Sequence, residues 1–582
     1  MPGRHRPTGT PYRRQTRVPF VIAGVAVVAT GAILVAQSLA GAGGCSSADG
    51  VRLQVAADPA IAPVLREVAS DWTSAGEPEV NGRCVAVEVT EAPTADVAGA
   101  LATASGGFLD VAADRTPAPA PDTGRAPDVW VPDSSYWITR IQAISRSIFQ
   151  ADRPSLASSP IVLGVTDAGA AVLGEGPIPV QALREPLLGA VAAAQQGEPP
   201  PLPVALSEPR RDTAGLVGAT WMQSAVVAGD DDLPVLVALF RGQAAAPPDT
   251  AALLPAFDAG LAAAPMSEQA VIDHNASTPP TPVTAVRVLD APALDFPYTV
   301  LARQPRDARA AAALFRTALQ AAPEVFTKYG FRTPDGAAGD GFPIGGGVTT
   351  APAAVAAVGP PERFDQTRRI WTSATSDARV LSVVNVNSSM QQPMTTPQGP
   401  VPRINIFQAA ATRGMELFTA GTDLGHWEYA ARLDGDRDWR VGVPIALLDD
   451  EQTQRILAAI QGVQVASTGE SALFETLLAA YQEMKEGWDP NRSNTLVMWT
   501  DSGSTKAGGL TLELALRELE RLTDLTRPIR VILLGLGPDA DMAQLQALAE
   551  ATGGGAFQIL DPTQIETIFL RALLALPPVT PR

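Results

Sequence analysis

Residues 378–390 read ARVLSVVNVNSSM, a continuous apolar and β-branched run that breaks into a polar Asn and Ser loop. An unbroken run of this kind fits a strand buried on both faces, as in a parallel sheet. Outward from it, the helically spaced INIFQAAATRGMELF (404–418), EQTQRILAAI (451–460) and SALFETLLAAYQEM (471–484) are interleaved with LGHWEYAARL (424–433), TLVMWTDSG (495–503) and RPIRVILLGLG (527–537). A last helix is expected around Asp541–Thr552 and a last strand in AFQIL (556–560). Strands alternating with helices predict a Rossmann-like, doubly wound sheet over residues 377–574, with 575–582 as a tail.

Toward the N-terminus, residues 346–376 form a Gly-, Ala- and Pro-rich joint that runs into ERFDQTRRIWTSAT. Before the joint the pattern is again α/β. VRLQVAA (51–57) reads as a strand, IAPVLREVASDW (61–72) as a helix and CVAVEVT (84–90) as a strand. The run PDVWVPDSSYWITR (127–140) sets an apolar strand ahead of Asp133, Ser134 and Ser135, and LSEPRRDTAG (206–215) carries Arg210 and Asp212 into another helix. Helix N-termini beyond strand ends are where open α/β sheets bind ligands, which makes Asp58, Asp133, Ser134, Ser135, Arg210 and Asp212 the candidate lining of a cleft. The serines read equally as helix caps, and Arg210 with Asp212 as a solvated helix entry.

Of the 582 residues, 46% are apolar and 18% charged, a globular balance for a chain of more than one domain. Residues 1–17 hold five arginines and no acid, so the remainder is more acidic than the net charge of −18 and unsuited to nucleic acid. Val18–Ala36 is free of charge and about 28 Å long as a helix, which predicts a transmembrane anchor over 18–38. Basic residues before the span orient the tail inside and the bulk outside the cytoplasmic membrane. Cleavage after Ala40-Gly41-Ala42 and lipidation at Cys45 are the other readings of this segment. Cys45 and Cys84, the two cysteines of the chain, are expected to form one disulfide worth roughly 4 kcal/mol.

The phrases VAADPAIAPVL, CVAVEVT, PDVWVPDSSYW, LSEPRRDTAG, LDFPYTVL and GFRTPDG, in this order, resemble the type 2 periplasmic-binding-like (solute-binding) domain of actinobacterial surface proteins. The resemblance covers 46–345 and implies two α/β lobes with any small-molecule ligand held between them. The second half is similar to a von Willebrand factor A (VWA) domain, through NVNSSM, LGHWEYAARLDGDRDW, STGESALFETLLAAY and WTDSGS. That family collects hard oxygen ligands for Mg²⁺ from loops at the strand ends, as Asp-x-Ser-x-Ser, a Thr and an Asp, in a metal-ion-dependent adhesion site. Here the corresponding positions are Asn385, Asn387, Ser389, Ser471 and Asp501. With Asn385 in place of a carboxylate, the resemblance implies a degenerate site without metal, Mg²⁺ entering only if the altered set still binds it.

Nothing in the sequence supplies catalytic machinery. It holds no Gly-x-Ser-x-Gly elbow, no His-Glu-x-x-His, no phosphate-binding loop and no base placed beside a nucleophile. The expectation is a membrane-anchored extracytoplasmic adaptor without enzymatic activity or cofactor. Its VWA-like domain would engage a protein and its solute-binding-like domain a ligand or envelope component. The alternatives are a substrate-binding receptor of a transport system and a surface structural protein with vestigial sites.

Overall fold

The structure, a computed structural model, describes residues 50–76, 78–111, 126–174, 176–353, 355–359, 361–396, 399–415, 418–419, 421–561 and 565–574. The basic tail, the expected span at 18–38, Cys45 and the tail 575–582 lie outside the described residues. Among the described residues no helix is long and apolar enough to cross a membrane. Cys84 is disulfide-bonded. Val51–Arg582 forms one compact unit.

The first lobe starts with β1 (Val51–Ala57), α1 (Ala62–Ala75), β2 (Glu79–Val80), β3 (Arg83–Glu91), α2 (Thr94–Ala104), β4 (Val129–Val131) and α3 (Ser135–Ile144). Asn81 and Gly82, both at positive φ, make the tight turn between β2 and β3. The chain then crosses into a second lobe built on β5 (Ser159–Val165), α4 (Thr213–Val226), α5 (Leu233–Gly242), β6 (Ala263–Ser267), β7 (Thr284–Arg287) and β8 (Ala293–Leu294), and returns at β9 (Thr299–Val300). The first sheet has the order β2-β3-β1-β4-β9, with β1 parallel to β3 and β4 and the returning β9 antiparallel to β4. In the second lobe, β6, β7 and β8 all pair antiparallel with β5, which is buried along its whole length.

Within the segment 346–376 read as a joint, residues Pro361–Thr375 form a helix, α6. Its buried Phe364, Thr367, Ile370, Trp371 and Ala374 recur at helical spacing, which gives it one face to bury. That face bridges the lobes. Tyr136 Oη donates to Asp365 Oδ1 at 2.9 Å and Thr372 Oγ1 to Asp110 Oδ2 at 3.1 Å, both on the first lobe. On the second lobe, Thr367 Oγ1 donates to Gln223 Oε1 at 2.8 Å, and Trp371 Nε1 to Glu208 Oε1 at 2.9 Å. The Trp371 ring meets Phe240 of α5 edge to face, with centroids 5.1 Å apart.

Two residues after α6, β10 (Ala378–Asn385) opens the second domain. It is followed by the hairpin β11 (Pro393–Thr396) and β12 (Gly399–Pro402), then α7 (Arg403–Gly414), β13 (Asp423–Asp434), β14 (Arg437–Leu447), α8 (Leu473–Glu486), β15 (Ser493–Thr500), β16 (Arg530–Leu536), α9 (Met542–Glu550) and β17 (Gly555–Ile559). The sheet order β14-β13-β10-β15-β16-β17 is parallel except for the edge strand β14. β10 and β15 run in register, Val383 beside Met498 and Val384 beside Trp499. Apolar clusters on both faces of this sheet account for the unbroken hydrophobic runs of its central strands.

Candidate functional site

Between the lobes, four helix N-termini converge on a group of aspartates. Asp58 follows β1, accepts from Ala60 N at 3.1 Å and receives the Thr94 hydroxyl at 2.8 Å. Thr94, at the start of α2, in turn accepts from Asp133 N at 3.1 Å, which ties the loops after β1 and β4 together. Ser134 caps α3 by accepting from Tyr136 N at 3.2 Å, and Ser135 N donates to Asp295 Oδ1 at 2.7 Å. Asp212 caps α4 through Ala214 N and Gly215 N, while its second oxygen takes Thr250 N at 2.7 Å and Thr250 Oγ1 at 2.9 Å. The lobes touch here as well, through Trp137 Nε1 donating to Thr213 Oγ1 at 2.9 Å.

This cluster is electrostatically loaded. Each helix N-terminus contributes about half a positive charge, less than the carboxylates gathered there. None of Asp58, Asp133, Asp212 and Asp295 makes an ion pair among the described residues. Burial, the hydrogen bonds notwithstanding, pushes Asp58 up to about 6, with the Asp212 and Asp249 charges adding to the shift. Burial and then the neighbouring Asp58 charge hold Asp133 well above the ordinary carboxylate range, and burial raises Asp212 and Asp295. Asp133 is 8% exposed, and its Oδ1 has no hydrogen-bond partner.

Arg210 stands apart from these aspartates. Its Nε donates to Glu208 Oε1 at 2.8 Å, its Nη1 lies 3.6 Å from Asp110, and it faces α6 rather than Asp58 or Asp133. Of the residues predicted from sequence, Asp58, Asp133, Ser134, Ser135 and Asp212 therefore come together, whereas Arg210 is paired with Glu208 and Asp110, the two carboxylates that also accept from the strap helix. Asp295 and Thr94 complete the cluster. Sequence reasoning did not select them, although Asp295 lies within the quoted LDFPYTVL.

At the C-terminal edge of the second sheet, the loops after β10 and β15 interlock. Asn385 Nδ2 donates to Asp501 Oδ1 at 2.9 Å, and Asn385 Oδ1 accepts from Asn387 N at 3.1 Å. Ser389 Oγ donates to Asn387 Oδ1 at 2.6 Å, while Asn387 Nδ2 donates to Gly469 O at 3.3 Å. Ser471 is held by its backbone, N to Thr505 Oγ1 at 2.8 Å and O from Thr505 N at 2.9 Å. Its side chain is fully buried, as is that of Tyr429.

A guanidinium takes part in this network. Arg403, the first residue of α7, donates from Nη1 to Asp501 Oδ2 at 2.9 Å and from Nη2 to Asp539. Burial disfavours its charge, but the hydrogen bonds to Asp539 and Asp501 outweigh that and set Arg403 above its ordinary value. Both oxygens of Asp501 are thus engaged, one by an amide N–H and one by a fixed cation, and Asn385 turns its donor side toward the carboxylate. That arrangement does not fit a divalent cation, which needs free oxygen lone pairs directed at one point. Among the described residues, no group of three or more His, Cys, Asp or Glu side chains is placed to hold a metal ion. Arg403 escaped the sequence reading, yet it carries a signal: a basic residue in the first turn of a helix opposes the helix dipole and calls for an anionic partner.

Residues 53–332 match the family of bacterial extracellular solute-binding proteins. Uncharacterized proteins from two strains of Mycobacterium tuberculosis are 26% identical over 537 residues, which covers 86% of this chain and 73% of each relative. Among solved structures, the sulfate-binding protein SubI from Mycobacterium tuberculosis H37Rv is 15% identical, covers 53% of this chain and 94% of its own, and gives a TM-score of 0.36. A von Willebrand factor type A structure from Catenulispora acidiphila is 16% identical with a TM-score of 0.27, over 34% of this chain. This chain spans 42% of that protein's length. Residues 53–332 of this mixed α/β chain are thus similar to bacterial extracellular solute-binding proteins.

Proposed function

We propose that the chain is an extracytoplasmic binding and adaptor protein, anchored by residues 18–38 and without enzymatic activity. In this reading its VWA-like domain docks a protein partner through the strand-end loops, without a metal cofactor. The observation that carries it is α6. This helix bonds to Tyr136 and Asp110 on one lobe and to Gln223 and Glu208 on the other, then runs almost directly into β10. A transport receptor works by opening and closing its lobes about a hinge. A strap across both lobes opposes that motion and couples the pair to the second domain. Capture experiments with the detergent-solubilised full chain, in Mg²⁺ and in EDTA, test the reading: the same partner should be retained in both, and retention only in Mg²⁺ would defeat it.

A second reading, a receptor for a small solute, draws on the buried Asp133 Oδ1 and the carboxylates around it. Such a cluster suits a solute with a positively charged nitrogen, which would supply the missing donor. Calorimetric titration with putrescine distinguishes the two: saturable heat that disappears in Asp133→Asn supports the receptor, and a flat titration in the unmodified chain counts against it.

A further inference from the structure

The edge of the second sheet where β10, β15 and β16 begin meets α5 and α6 and carries a polar patch. Ser493 and Thr495 stand two apart on β15, so both project from one face. Register puts Arg530, the first residue of β16, beside Thr495, and sets Ala378 and Val380 of β10 beside Ser493 and Thr495. Ser493 is 6% exposed and Thr495 3%. Both faces of this sheet are otherwise packed with apolar side chains, so two buried hydroxyls and a guanidinium on one of them call for a polar counterpart.

The first domain supplies the facing wall. Ser373, near the end of α6, Ser376 just beyond it and Arg241, in the last turn of α5, line the same cavity as Ser493, Thr495 and Arg530. Arg530 Nη2 donates to Ser493 Oγ at 3.1 Å and to Ser373 Oγ at 3.4 Å, and Arg241 Nε donates to Ala374 O at 3.2 Å. Burial holds the Arg241 guanidinium below its ordinary value. The cavity measures about 410 Å³ with its open mouth included, which limits an occupant to a small group. Its described lining has two guanidinium groups and no carboxylate. Asp377 is exposed and accepts from Thr419 Oγ1, another lining residue, at 2.8 Å.

Donors on α5, α6, β15 and β16 approach an occupant from several directions. A carboxylate presents two oxygens in one plane, whereas a phosphate group presents three or more to separate walls. We infer that the cavity is a binding site for a phosphate-type oxyanion, free or as a monoester, held between Arg241 of the first domain and Arg530 of the second. The net charge of −18 does not oppose this, because charges are screened over about 8 Å at physiological ionic strength and the lining decides. The site shares no residue with the strand-end loops or with the aspartate cluster, so it stands independently of both functional readings. An anion held there joins α5 and α6 to the second sheet and stiffens the seam between the domains.

The full chain in detergent is titrated calorimetrically, at constant ionic strength, with sodium phosphate, with methyl phosphate and with sodium acetate. Saturable heat is expected with phosphate or with the monoester, and a response to the monoester alone identifies an esterified ligand. Acetate should bind at least about tenfold more weakly. Arg530→Gln should weaken phosphate binding by about tenfold or more and Thr495→Val, which keeps the shape of the side chain, by roughly fivefold, whereas Asp133→Asn between the lobes should leave it unchanged. No saturable heat with either phosphate compound, or acetate binding as tightly as phosphate, overturns the inference. So does heat that persists unchanged in Thr495→Val, the variant that decides even if Arg530→Gln fails to fold, or heat that vanishes in Asp133→Asn, which would put the anion between the lobes.

Discussion

Arg332 and Glu268, 64 residues apart, form a two-pronged ion pair, Nη2 to Oε1 at 3.0 Å and Nε to Oε2 at 2.5 Å, with both side chains almost wholly removed from water. The remaining donors of Arg332 reach Thr349 O at 2.7 Å and Ala351 O at 3.0 Å, so the pair fastens the chain beyond the lobes to β6 and the helix after it. Taking one partner away leaves a buried charge without compensation. Glu268→Ala should lower the stability of the unit by about 3–5 kcal/mol. Chemical denaturation monitored by tryptophan fluorescence measures it, and a loss below 1 kcal/mol would contradict the assignment.

The strap makes a graded prediction. Tyr136→Phe removes the hydrogen bond to Asp365 and should cost about 1 kcal/mol, whereas Trp371→Ala deletes a fully buried ring and leaves Glu208 short of a donor, at about 3–5 kcal/mol. If α6 fastens the lobes, hydrogen exchange should rise in α3 and α4 in step with that loss. Exchange confined to residues 361–375 would mean that the helix rests on the lobes without fastening them.

Asp58 gives a pH dependence with a defined sign. Its carboxyl is held at about 6 in the folded protein against an ordinary 3.8, so folding favours the protonated form. The stability this contributes is fully present below pH 3.8 and is lost as the pH rises through about 6. Asp58→Asn, which cannot ionise, should therefore unfold at a higher temperature than the unmodified chain at pH 7.5, by about 1 °C for each kcal/mol recovered in a unit of this size. The gap should close near pH 4. Equal unfolding temperatures at both pH values would rule out a strained carboxylate at this position.

The metal question is also open to direct measurement. Calorimetric titration of the unmodified chain with MgCl₂ should show no binding in the low micromolar range. Replacing Asn385→Asp together with Arg403→Ala restores an anion and removes the fixed cation, and should strengthen binding by at least tenfold, about 1.4 kcal/mol. Tight binding by the unmodified chain would show that Arg403 yields to the ion.

Much of the architecture is legible from the sequence because burial on two faces leaves an unmistakable pattern. β10, β15 and β16 are buried along nearly their whole length around apolar centres, and β1 shows the alternation of a strand followed by a helix with Pro63 in its first turn. The positions of Asn385, Asn387, Ser389 and Asp501 follow from their place at strand ends, and the structure brings those four into one hydrogen-bonded chain. What escaped is tertiary. Arg403 reaches Asp501 across 98 residues, and no local pattern announces the partner of a lone arginine. α6 was hidden for a related reason: Trp371 and Phe364 sit in a stretch so rich in charge that its narrow apolar face is overshadowed by the Gly and Pro residues before it. β14 is an exposed edge with irregular register, and alternation fails there because the bulges at His426 and Trp427 interrupt it.

The way α6 passes into β10 bears on how the chain can be divided. Judged by sequence, a cut at Asp377 frees the second domain cleanly. Judged by packing, it leaves α6 with the first domain, whose interior that helix helps to fill, and a cut placed earlier, at the glycine-rich run near 346, would carry the helix away and uncover Phe240 and Tyr136. Shuffling of the two halves in evolution, or on the bench, therefore calls for a seam on the C-terminal side of the helix, and the folded half that resembles solute-binding proteins ends not where its sequence likeness stops, at 332, but some forty residues later.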